Sequence, residues 1–103
     1  MANYLLTYHG GAQPQSEAEG KAVMDAWMAW FGRLGPAVVD GGNPTGHTKV
    51  VSPGGSVTDG GPTSPTGYSV LRADSLDGAV ELAKGCPGLG FGGMVEVSEL
   101  LEM

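Results

Sequence analysis

The chain has 103 residues, room for one small domain and not for two. Hydrophobic residues make up 41% and charged residues 16%, and the 19 glycines and 7 prolines bring the chain near the level at which low complexity has to be excluded. Eleven acidic against five basic side chains give a net charge of −6, which repels phosphate backbones and anionic lipid and removes nucleic acid and membrane surfaces from the expected partners. A single cysteine, Cys86, allows no internal disulfide, and Met1-Ala2-Asn3-Tyr4-Leu5-Leu6 carries neither a basic region nor a long apolar run. The expectation is a reduced, cytoplasmic protein.

Glycine and proline concentrate between Gly41 and Gly67 and between Gly85 and Gly93, and the segments around them are periodic. From Asn3 to His9, Tyr4, Leu6 and Tyr8 alternate with Asn3, Leu5, Thr7 and His9, which predicts a strand with one apolar and one mixed face. Ser16 with Glu19 forms a capping box, and Val23, Trp27, Trp30, Phe31 and Leu34 recur at helical spacing, a stripe that Met24 and Met28 widen. Gly35 and Pro36 stop this helix. Short strands are predicted over Ala37–Asp40 and His47–Ser52, with a third piece at Val57–Asp59 and a longer strand at Tyr68–Ala73. Asp74 and Ser75 cap a second helix in which Leu76, Ala79, Val80 and Ala83 share a face, and Met94–Ser98 alternates as a last strand.

The order is β-α-β-β-(β)-β-α-β, an α+β domain of the ferredoxin-like βαββαβ kind with an antiparallel sheet, occupying residues 1–103. Two helices on one side leave the other sheet face bare, with Leu5 and a share of Val38, Val50, Val70 and Met94 on it. A homodimer in which the bare faces meet is therefore expected. Asn3, Thr7 and His9 lie on the same mixed face, so the interface should enclose a partly polar cavity.

Tyr4-Leu5-Leu6, Val39-Asp40-Gly41-Gly42, Val57-Thr58-Asp59-Gly60-Gly61-Pro62, Gly67-Tyr68-Ser69-Val70, Ala73-Asp74-Ser75-Leu76-Asp77 and Gly92-Gly93-Met94-Val95-Glu96-Val97 occur in an order that resembles the bacterial YCII-related proteins with a DGPF motif. The resemblance spans nearly the whole chain and implies a dimeric α+β barrel, an architecture that hosts monooxygenases, isomerases and ligand binders alike. The chain departs from the pattern twice. Asp59-Gly60-Gly61-Pro62 has an added glycine and no phenylalanine, and no histidine lies between Gly10 and Gly46 to form the His–Asp pair that the resemblance would suggest.

Asp40 and Asp59 each precede glycine at a strand end, where a carboxylate serves as an Asx-turn acceptor or, in a cavity mouth, as a ligand acceptor or general base. His9 ends the first strand on the mixed face and is a candidate for proton exchange near neutrality. Tyr68 opens a strand with a hydroxyl able to donate. His47 reads as loop surface, and two histidines without local ligand spacing make no metal site. Gly88, Gly90 and Gly93 satisfy G-x-G-x-x-G formally, but the run follows a helix and precedes a strand, the reverse of a dinucleotide site. No cofactor is expected.

The leading expectation is a homodimer that binds a small organic molecule between the sheet and the glycine-rich loops, lined by His9, Asp40, Asp59 and Tyr68. Two alternatives stand beside it. One is a cofactor-free isomerase or monooxygenase-like enzyme with His9 or Asp59 moving the proton; the other is a structural or regulatory dimerisation domain.

Overall fold

The computed structural model describes residues 1–61 and 63–102. The chain runs β1 (Ala2–His9), α1 (Glu17–Leu34), β2 (Val38–Asp40), β3 (Lys49–Val51), β4 (Val57–Asp59), β5 (Pro65–Ala73), α2 (Leu76–Ala83) and β6 (Met94–Glu99). Four strands form one antiparallel sheet in the order β2-β5-β1-β6, and β3 and β4 form a separate hairpin. With its two helices this is a ferredoxin-like α+β fold, as the element order implies.

Local chemistry accounts for both helices. The Ser16 side chain accepts the Glu19 amide at 3.1 Å, and Gly35, at φ 54°, ends α1 with its amide on Phe31 O. Ser75 accepts the Gly78 amide at 3.0 Å at the start of α2. Each hydroxyl satisfies a first-turn donor that the helix itself leaves unpaired.

The core lies between the helices and one sheet face. Leu6, Leu71, Trp30, Ala83 and Cys86 form one buried cluster, and Tyr4, Ala73 and Ala79 form another beside it. Trp27 extends the first cluster, its ring 4.9 Å from Tyr8 and 5.6 Å from Trp30, both edge-on, the arrangement that ring quadrupoles favour. Fully burying a side chain such as Leu6 or Leu71 contributes roughly 1.5–3 kcal/mol, so this cluster carries much of the domain's stability. Met24 and Met28 do not widen the buried stripe: they are 63% and 66% exposed on the outer side of α1.

Both helices cover the Tyr4–Leu6–Tyr8 side, leaving the opposite face open. Two residues expected on that face are elsewhere. Val38 lies directly opposite Leu71, so it shares that residue's face and packs into the core, while the register slip after Val38 sets Asp40 against Val70. Val50 lies in the β3–β4 hairpin, outside the four-stranded sheet. Leu5 and Val70 face each other across β1 and β5 on the open side, and Met94 lies opposite His9 on β6. Among the described residues no helix is long and apolar enough to cross a membrane.

Candidate functional site

Cross-strand register assembles the open face. Thr7 is opposite Tyr68 on one side and Glu96 on the other; Leu5 is opposite Val70 and Ser98; Asn3 is opposite Arg72. Residues directly opposite share a face, so one surface combines apolar side chains with hydroxyl, amide, guanidinium and carboxylate groups.

His9 closes the upper end of this surface. Its side chain is only 12% exposed, and Nδ1 lies 2.7 Å from the carbonyl oxygen of Thr63, in the glycine-rich link between β4 and β5. A carbonyl oxygen only accepts, so Nδ1 carries the hydrogen. Nε2 sits against the carboxylate of Glu96 and, among the described residues, has no other polar partner. A proton between these two atoms makes the contact attractive; without one, two acceptors would face each other. Sheet and glycine-rich loop meet at this imidazole.

The other three candidates occupy different surroundings. Tyr68 is half-buried on the open face, opposite Thr7, and its amide donates to Asn43 O at 3.3 Å. Asp40 accepts the Gly42 amide through Oδ1 at 2.8 Å, an Asx turn at the end of β2. Asp59 is 82% exposed in the hairpin, where its carboxylate pairs with Lys49. Among the described residues the hydrogen-bond partner of the Asp59 carboxylate is Lys49, not His9 or Tyr68. Pro62, the last residue of the Asp59-Gly60-Gly61-Pro62 motif, lies outside the described residues.

Concavities among the described residues lie beside the sheet. A groove of about 700 Å³ crosses its lower end beside Asn3, Arg72, Glu99, Leu100 and Leu101. A smaller one of about 280 Å³, on the helix side, is lined by Val80, Ala83, Leu89, Val95 and Val97. Neither includes His9, Asp40, Asp59 or Tyr68. Among the described residues no three histidine, cysteine or acidic side chains gather closely enough to hold a metal ion.

Sequence reasoning missed Glu96 as the partner of His9. The alternation of Val95 and Val97 already assigned Glu96 to the opposite face, but only the β1–β6 register brings it beside His9. Ser69 was missed as well: it is fully buried, accepts from Tyr8 Oη at 2.8 Å and donates to Gly41 O at 2.7 Å. No family model and no curated protein matches the chain.

Proposed function

We propose that this chain works as a cytoplasmic homodimer of the YCII-related kind, in which two open sheet faces meet and hold a small organic molecule between them. The observation that carries this reading is uncovered surface. The chain exposes 6987 Å², whereas a compact monomer of this mass exposes about 5,400 Å². Its radius of gyration is 14.9 Å against about 13 Å for a compact chain of this length. The excess, roughly 1,600 Å² per chain, is about twice what one partner contributes to a standard interface.

The composition of the open face fits a binding role better than a dry interface. Leu5, Val70 and Met94 supply apolar area, while Asn3, Thr7, Tyr68 and Arg72 offer polar groups that fix a ligand's orientation. His9, held between Thr63 and Glu96, anchors the loop that walls one end. Asp40 acts chiefly as the turn acceptor that shapes the edge of the site.

The His9–Glu96 contact also favours a second reading, cofactor-free proton transfer with His9 as the exchanging group. Binding ranks first because both ring nitrogens already face protein acceptors, leaving no nitrogen for a substrate unless the loop moves. Sedimentation equilibrium at micromolar concentration, followed by a thermal-shift screen of small organic metabolites, tests the proposal. A dimer mass together with saturable stabilisation by a metabolite is the expected result. A monomer mass overturns the dimer, and a dimer stabilised by no compound leaves the structural-domain alternative in its place.

A further inference from the structure

The β3–β4 hairpin is built like an arm with nothing to hold. Its strands have three residues each, paired Lys49 to Asp59, Val50 to Thr58 and Val51 to Val57, and all six residues are exposed. The two strands pack substantially on each other alone. A lone two-stranded hairpin is at best marginally stable in water, and the exposed Lys49–Asp59 pair at its base contributes little.

Side-chain alternation places Val51 and Val57 together on one hairpin face, where they are 70% and 58% exposed. They adjoin a tip, Ser52-Pro53-Gly54-Gly55-Ser56, that carries no charge. Such a tip can approach a second copy of a chain with net charge −6 without repulsion. The uncovered area points the same way. The chain exposes roughly 1,600 Å² more than a compact monomer of its mass, about twice one partner's share of a standard interface, and the exposed hairpin is part of that surface.

We propose that the hairpin is an exchange arm: in the dimer, Val51 and Val57 of each copy dock on the Leu5–Val70 pair of the other copy's open face. Each binding surface is then completed by its partner's hairpin. This inference rests on the dimer reading and adds to it which segment crosses between copies.

The test compares the wild-type chain with a Val51→Asp/Val57→Asp double variant by sedimentation equilibrium, and maps amide hydrogen exchange over residues 49–59 across a dilution series. The hairpin is solvent-exposed within one chain, so the variant should keep the native tryptophan fluorescence and circular dichroism. The expected result is a dimer dissociation constant weakened about a hundredfold or more, with wild-type hairpin protection that fades on dilution. A variant that dimerises as tightly as wild type, or hairpin protection independent of concentration, overturns the arm while leaving the dimer standing. A wild-type chain that is monomeric throughout overturns both.

Discussion

Tyr8 donates its hydroxyl hydrogen to Ser69 Oγ at 2.8 Å across the two central strands, and Ser69 passes its own hydrogen to Gly41 O at 2.7 Å. This relay ties β1, β5 and the turn after β2 together at the edge of the aromatic cluster. Ser69 is fully buried, and a buried polar group that loses its partner bears its desolvation cost uncompensated. Ser69→Ala orphans both the Tyr8 hydroxyl and the Gly41 carbonyl, and should lower stability by about 1–3 kcal/mol. In a double-mutant cycle with Tyr8→Phe, followed by urea unfolding, the two losses should not add, because both remove the same bond.

Alkaline pH should expose the same residue. Burial pushes the Tyr8 phenol up from 10.0 to about 12, although the bond to Ser69 acts in the opposite direction. A group with a raised folded value contributes stability that is complete below its unfolded value and is lost as pH climbs through the folded one. Between about pH 10 and 12 the unfolded chain therefore releases this proton first, and folding weakens. The thermal midpoint of the wild type should fall more steeply across that window than that of Tyr8→Phe.

Two glycines should respond oppositely to alanine. Gly42 sits at φ +76°, and a Cβ there would lie 1.7 Å from the carbonyl oxygen of Tyr68, a backbone atom. Gly42→Ala should lower stability by more than about 2 kcal/mol or prevent folding. Gly32 lies inside α1 with nothing within 4 Å of the added methyl group. Gly32→Ala should stabilise the protein by roughly 0.5–1 kcal/mol in denaturant titration.

Cys86 should be chemically silent in the folded protein. Burial raises its thiol pKa, against amide hydrogen bonds from Gly88 and Leu89 that lower it, and the thiolate is the reactive species. A chromogenic disulfide reagent should label Cys86 slowly in native buffer and completely in denaturant. Rapid native labelling would mean that the segment after α2 opens readily.

The sequence alone determined both helices, most of the strands and their order, because a capping serine, a stop glycine or an apolar period acts within a few residues of itself. Ser16 with Glu19, Ser75 before Leu76, and the alternation of Tyr4, Leu6 and Tyr8 are signals of that kind. The mixed face of β1 was legible for the same reason, and so was the Asx-turn chemistry available to Asp40. Tertiary structure decided what depends on register between distant strands: Val38 turned into the core opposite Leu71, Glu96 set against His9, and Asp59 with Val50 carried off in a separate hairpin. Strand pairing joins residues tens of positions apart, and a slip of one residue exchanges the two faces of a strand. Neighbouring residues carry no record of that choice, so the partners of His9 and Asp59 emerged only when the chain closed on itself.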